Sequence, residues 1–531
     1  PADEEDEDSL PPMLPGDGFD GETEVPPLAG DASAFGAEFT PIARWTSVPW
    51  AELLPEYPIG LLAFHVSGID RVEFAAEGGD WITVSEVRVN PRTDVEEYWA
   101  SLQAPEDATG TIEVRAKIFP NHGVPRVLTL VVNAPVLESE RNVAYVSPSG
   151  SDEAGIGTRE SPFRTISRAG SHLSTIGEGG LADQAAIRLE AGSYKYQRTQ
   201  NSHLTSTDNG WLTIEPAEGV DPSECLIVDS DPGVNGGIRT KMVHLRRLTL
   251  IGELKSNSNP EDYLWIDGCV LPGGGPGSNA NWLGGWWTSI YVTDSSAFDH
   301  VNALAWVTLA RNCLVERLHQ DAFAGGQCIV NCEVIDQIGG SHPDTGNIYH
   351  SDLWQERAPA TDFDVIVFGL DASQNCTKQG FFSRSVLHRN IAFVNNRLEL
   401  KGYPEQNTMA TRCEHLLVLD NTFTGTPFRL RFSDPVEDVS GYLDSEGALW
   451  KGNIFQWIGI NDPEDILGGQ IPSFSSESEG TIFLGNHYIN LWPDYMGGGG
   501  TPYGTTTLGV DFTTGNEIPG DVGWRDIWSP R

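Results

Sequence analysis

Leu309-Ala310-Arg311-Asn312-Cys313-Leu314-Val315 packs an apolar strand, a turn residue and a second apolar strand into seven residues. The arrangement recurs at Leu264-Trp265-Ile266-Asp267-Gly268-Cys269-Val270, Ile329-Val330-Asn331-Cys332-Glu333-Val334 and Val418-Leu419-Asp420-Asn421-Thr422-Phe423. It returns at Leu449-Trp450-Lys451-Gly452-Asn453-Ile454-Phe455 and Ile482-Phe483-Leu484-Gly485-Asn486-His487-Tyr488. The spacing is 19 residues from Asn312 to Asn331 and 33 from Asn453 to Asn486. Irregular strand-and-turn repeats of this size predict a solenoid of stacked coils, each giving one strand to each of several parallel sheets. Asn at the turn tolerates left-handed backbone and can hydrogen-bond the Asn of the next coil. Cys269, Cys313 and Cys332 share one repeat position. They are expected to stack about 4.8 Å apart in a buried ladder, in which a Cys313–Cys332 disulfide is geometrically allowed. No CxxC pair with a matching His set supports zinc. The seven cysteines leave at least one thiol unpaired within the chain.

Upstream the period changes. Between Ile42 and Ala134 the segments Gly60–Ser67, Asp70–Ala76, Trp81–Val89, Glu96–Leu102, Thr111–Phe119 and Arg126–Asn133 alternate as strands, with turn residues between them. So many short strands predict a β-sandwich. Val143–Ser147 then begins a second domain, and Ser161-Pro162 reads as an N-cap with Pro at the first helical position. The spacing of Phe163, Ile166, Ala169 and Leu173 predicts one short helix over Pro162–Ile176. The expected organisation is an acidic flexible tail over 1–36, a sandwich over 37–136, a solenoid over 137–495 and a Gly-rich extension over 496–531.

Charge narrows the function classes. The net charge is −42, and the first 43 residues hold twelve acids with no Lys or Arg. Such a surface cannot serve sequence-blind nucleic-acid binding, which needs a basic face, and it disfavours anionic lipid. No apolar run reaches the roughly 18 residues of a membrane span. The acidic tail predicts a segment that repels itself and buries little.

Val143-Ala144-Tyr145-Val146-Ser147-Pro148-Ser149-Gly150-Ser151-Asp152, then Gly157-Thr158 and Ser161-Pro162-Phe163-Arg164-Thr165-Ile166, resembles the opening of right-handed parallel β-helix proteins. That superfamily holds pectate-lyase-like enzymes, viral tailspikes and surface proteins, and its members carry a short capping helix here. The stretch Gly68–Phe74 with Gly78-Gly79-Asp80-Trp81 resembles Ig-like modules of secreted and surface proteins. The pair of modules is similar to uncharacterised proteins of marine bacteria and their phages. The resemblance implies an all-β fold: a right-handed single-stranded parallel β-helix preceded by an Ig-like β-sandwich and an acidic tail. It implies a protein at the cell surface, outside the cell or on a virion. It does not carry an activity. The Asn-Thr-Asp, Gly-His-Gly and Arg-Ile-Lys motifs of polygalacturonases are missing, and Trp265-Ile266-Asp267 is followed by Gly268 where pectate lyases have His.

The densest polar run is Ser341–Gln355. Alternation over Tyr349–Gln355 sets His350, Asp352 and Trp354 on one side of a strand, expected to be the outer one. Asp321 precedes His350 by 29 residues, about one coil, so Asp321 and Asp352 are expected to be near neighbours. Carboxylates about 5–9 Å apart can hydrolyse a glycosidic bond. Asp321, Asp352 and His350 are therefore the candidate catalytic residues, Trp354 the stacking platform and Gln355 a further substrate contact. The plainer alternative is that His350 and Asp352 satisfy each other at a coil edge. Lys401 and Tyr403, with Arg397, supply the residue types for β-elimination from a uronic acid. Calcium is the one cofactor allowed, as the mediator of an acidic glycan; no metal ligand set is assigned. Trp282, Trp286 and Trp287 form an aromatic stretch, either a sugar platform or a patch against a neighbouring chain. The expected function is a surface or virion-displayed protein that binds, and in its stronger form cleaves, a polysaccharide or cell-surface glycan. The alternative is a purely structural appendage or fibre subunit. A homo-oligomer, or assembly into a larger surface or virion structure, fits either.

Overall fold

The computed structural model describes residues 39–491, except 55–56, 106–107, 177–183, 197–209, 230–241, 253, 256–262, 274–282, 285–288, 301, 342–345, 347–350, 356–363, 375–379, 383–387, 401–407, 411–412, 426–427, 432–447, 461–481 and 485–486. The acidic tail, the Gly-rich extension, His350, Lys401, Tyr403, Trp282, Trp286 and Trp287 fall outside the described residues.

Two four-stranded antiparallel sheets come first. Ile42–Trp45, Tyr57–Phe64, Glu96–Leu102 and Arg88–Val89 make one; Ile82–Val84, Ile69–Ala76, Thr111–Pro120 and Arg126–Asn133 make the other. Alternation sends Val72, Phe74, Ile112, Val114, Ala116 and Ile118 into the shared core, while Glu73 and Lys117 pair on the outside. Each of these Val, Ile and Phe side chains removed from water stabilises by about 1.5–3 kcal/mol. The single strand expected over Trp81–Val89 is instead two short strands, one at the edge of each sheet.

From Val143 the chain alternates between long parallel sheets, and the fold is β-helix-like. One sheet has 13 strands among the described residues, running from Val143–Val146 to Ile482–Leu484. Its inner row is Ala144, Ile187, Ile214, Leu245, Ile266, Val292, Ala310 and Ile329, in register from coil to coil. A second sheet follows after one corner, and short strands such as Phe323–Ala324, Trp354–Gln355 and Phe381–Phe382 line a third side. The helix covering the first coil spans Ile166–Ile176 and buries Ile166, Ala169 and Leu173. Its cap is Thr165, whose Oγ1 accepts from Arg168 N at 3.1 Å. Ser161-Pro162 is not the cap, because Phe163 is held in a bridge with Val146.

The corner after the first sheet has one rule. A residue with positive φ turns the chain, and the next residue points inward. Arg247, Asp294, Asn312, Asn331, Asn395 and Asp420 turn with φ between 48° and 54°. The inward file that follows includes Cys269, Cys313, Cys332, Asn396, Asn421 and Asn453, all buried. The expected cysteine ladder is present, with Cys269, Cys313 and Cys332 buried as free thiols, so no Cys313–Cys332 disulfide forms. The expected asparagine alignment divides in two: Asn312 and Asn331 occupy the turning position, whereas Asn421 and Asn453 occupy the inward one. Adjacent corner positions both suit Asn, so the repeated letter conceals a one-residue offset.

The sandwich lies along the outer face of the first sheet. Ile42, Val48, Trp50, Leu62 and Val95 pack against Trp211, Trp265, Leu309, Val330, Ile366 and Ala392. Asp364 is a buried hub: its Oδ2 accepts from Ala43 N at 2.7 Å and pairs with Arg126, and its Oδ1 accepts from Asn390 Nδ2 at 2.8 Å. Arg311 donates to Thr46 O at 2.6 Å and Asn331 to Asp94 O at 2.9 Å. Glu97 is buried in the same interface; burial raises its pKa against hydrogen bonds from Thr46, Thr93 and Asn90.

Candidate functional site

Asp321 and Asp352 are brought together, but inside the solenoid. Both have 0% exposure. Asn302 Oδ1 accepts from Asp321 N at 3.1 Å, and Asp321 Oδ1 accepts from Asp352 N at 3.0 Å, so the three form a file along successive coils. Gln337 Nε2 reaches Asp352 O at 2.8 Å and Gln320 O at 2.6 Å. His319 Nδ1 meets Gly339 O at 3.0 Å, and Ser351 Oγ donates to His319 O at 2.8 Å. The Asp321 carboxylate holds main chain, and both carboxylates are buried away from solvent. Desolvation of a charged group is repaid only by such contacts.

Trp354 is also an interior residue, 1% exposed, with Nε1 donating to Gly326 O at 2.8 Å. It sits in register between Phe323 and Phe381 and meets Phe393 edge-on at 5.9 Å. The expected outer placement of Asp352 and Trp354 is thereby corrected. Period-two alternation holds only within a strand, and here the strand is just Trp354–Gln355. Ser351, Asp352 and Leu353 precede it without strand geometry, and all are buried. Gln355 keeps partial exposure. Arg397 pairs with Asp371 at 3.3 Å on the open face of the second sheet.

Near Gln355 lies an aromatic that its sequence context does not mark. Trp306 is 43% exposed, although its φ of 61° is left-handed and strained for a non-glycine residue. Its indole rests on Gly325, where a Cβ would come within 2.8 Å of the ring. Gly325 N in turn donates to Gln355 O at 2.7 Å.

A second grouping surrounds Trp265 and Asp267, which the sequence marks only as a departure from a motif. Across the first sheet's outer face, Arg188, Glu215, Arg246 and Asp267 alternate in charge on successive strands. Beside them His244 stacks on Trp265 at 3.8 Å. Its Nε2 stands 3.6 Å from Asp267 Oδ2, and its Nδ1 meets Thr213 Oγ1 at 3.2 Å. Thr293 Oγ1 donates to Asp267 at 2.7 Å and accepts from Trp265 Nε1 at 3.0 Å. Burial opposes ionisation of Asp267, but His244, Thr293 and Arg246 outweigh it and hold the carboxyl below its usual range. Burial pushes His244 down, so the ring is neutral at pH 7. The Thr293 hydroxyl is committed to the carboxylate as donor. This is a charge-balanced lock between coils, without an activated nucleophile.

No group of three or more His, Cys, Asp or Glu able to hold a metal exists among the described residues. No helix among them is long and apolar enough to cross a membrane. No family model, curated protein or solved structure gives a significant match to this chain.

Proposed function

We propose that the protein is a structural element of a cell surface, an extracellular layer or a virion. Its solenoid acts as a stiff rod and its sandwich as a module fixed along the rod. The observation that carries this reading is the burial of Asp321 and Asp352, with Asp321 Oδ1 committed to main chain in the interior file. The handedness of the β-helix and the Ig-like character of the sandwich belong to the same reading and rest on the sequence resemblance.

A second reading, glycan binding without cleavage, is favoured by Trp306. An exposed indole held on glycine beside a partly exposed Gln355 offers a flat apolar face to a sugar ring. Stacking needs no positive charge, which suits a chain of net charge −42 and a neutral glycan; calcium enters only for a polyuronate. The test is a glycan array and a polysaccharide depolymerisation panel with the full chain. The rod reading expects no retained glycan and no shortened polymer. Retention lost in Trp306→Ala establishes the second reading. Depolymerisation that Asp321→Asn abolishes without unfolding overturns both.

A further inference from the structure

The loop between Arg88–Val89 and Glu96–Leu102 reaches the solenoid at the corner after its first sheet. Two corner asparagines pin it there: Asn312 Nδ2 donates to Thr93 O at 2.7 Å and Asn331 Nδ2 to Asp94 O at 2.9 Å. Asn90 Oδ1 accepts from Arg92 N at 3.0 Å and fixes the turn. The Arg92 side chain is thereby held at the junction of the two modules, its guanidinium carbon 3.3 Å from the ring centre of buried Tyr57. Arg92 keeps contact with solvent, so a solute can reach it.

A cation in such surroundings is stabilised by a counter-charge, and the neighbouring carboxylates are already committed. Asp267 serves His244, Thr293 and Arg246. Asp294 serves Arg311 at 3.5 Å and Asn312 at 3.0 Å. Glu97 accepts from Thr46, Thr93 and Asn90. Among the described residues the Arg92 guanidinium makes no ion pair, and the Tyr57 ring supplies only a cation–π contact. Desolvation by the two modules, then the field of Arg311, pushes its pKa down to about 9 against Asp267 and Asp294, with Arg246 adding to the repulsion. An external anion would relieve both the desolvation and the repulsion. Because Tyr57 takes one face of the guanidinium, the N–H edge remains, and that planar fork matches the two oxygens of a carboxylate. We propose that Arg92 anchors an anion site at the sandwich–solenoid junction that takes a small carboxylate, with Arg246 and Arg311 adding to the attraction. The ligand is small because a chain of net charge −42 repels a polyanion.

The measurement is labelling of the full chain with the arginine reagent phenylglyoxal, read residue by residue by peptide mapping, with ionic strength held constant by chloride. Sodium acetate should slow the labelling of Arg92 roughly tenfold once the site is filled. Acetamide, of the same shape without the charge, should not. Arg115, exposed on the sandwich, should label at the same rate throughout. Acetate should also raise the melting temperature of the wild-type chain relative to chloride. That rise should vanish in Arg92→Gln and shrink in Arg92→Lys, which keeps the charge and loses the fork. Circular dichroism confirms that both variants are folded; Arg92→Gln breaks no ion pair and should fold as the wild type does. Protection of Arg92 and Arg115 alike, protection by acetamide, or an acetate-dependent rise that survives in Arg92→Gln would each overturn the proposal. Protection by sulfate but not by acetate would overturn its assignment to a carboxylate.

Discussion

Two buried polar files run along the solenoid, and they are built in opposite senses. In the amide file, Asn421 Oδ1 accepts from Asn396 N at 2.9 Å and from Asn396 Nδ2 at 2.8 Å. Asn421 Nδ2 donates to Phe393 O at 3.0 Å and to Asn453 Oδ1 at 2.9 Å. Each amide thus uses its oxygen and its nitrogen, with the oxygen reaching back to the preceding coil. In the carboxylate file, Asp321 offers Oδ1 forward, to Asp352 N on the following coil. An amide carries both donors and acceptors, whereas an ionised carboxylate only accepts. The difference teaches that a short polar residue recurring once per coil is first a device for holding coils in register. Chemistry needs an exposed atom as well.

The sharpest way to break this comparison is to delete one member of each file. Asn421→Ala removes four hydrogen bonds and leaves Asn396 N buried without its partner, while Asn453 Oδ1 keeps the main-chain N–H of position 421 at 3.0 Å. Urea unfolding should show a loss of about 3–4 kcal/mol. Asp321→Ala removes the acceptor of Asp352 N and should cost less, about 1–3 kcal/mol. Equal losses would show that the two files carry equal weight.

Acid separates a titrating site from the amides. His415, in the sandwich–solenoid interface, stacks on Phe39 at 4.5 Å and stands 6.3 Å from His65. Burial, reinforced by His65, pushes its pKa down to about 3. The unfolded chain binds a proton near pH 6.5 that the folded chain refuses. Stability should therefore fall as pH drops from about 6.5 to about 3, by about 1.4 kcal/mol per unit for this group, and then level off. His415→Gln should flatten that slope in pH-dependent denaturation, while Asn421→Ala leaves it unchanged. An unaltered slope in His415→Gln would place the acid sensitivity elsewhere.

The smallest effect concerns the cysteines that precede the amides in the same inward file. Burial pushes the Cys269 thiol up to about 12 and raises Cys332 well above its ordinary value. A water-soluble thiol reagent should leave Cys269, Cys313 and Cys332 unmodified for hours in the folded protein and label them on unfolding, as peptide mapping would show. Fast labelling of the native chain would mean that this part of the file opens more readily than the amide part.

Much of this architecture is legible in the residues themselves. The apolar–turn–apolar repeat predicts coils, and the shared position of Cys269, Cys313 and Cys332 predicts a buried ladder. The strands Glu96–Leu102 and Arg126–Asn133 follow from alternation to the residue. The spacing of Asp321 and Asp352 correctly predicts neighbours on adjacent coils. These features depend on periodicity, which a sequence carries directly. Which way Asp352 and Trp354 point depends on where a two-residue strand begins, and no period can be read from two residues. The covering of the first sheet by the sandwich and the exposure of Trp306 over Gly325 join separate segments of the chain. Their burial is set by packing between those segments, so tertiary structure alone decides which polar groups hold the coils together and which meet solvent.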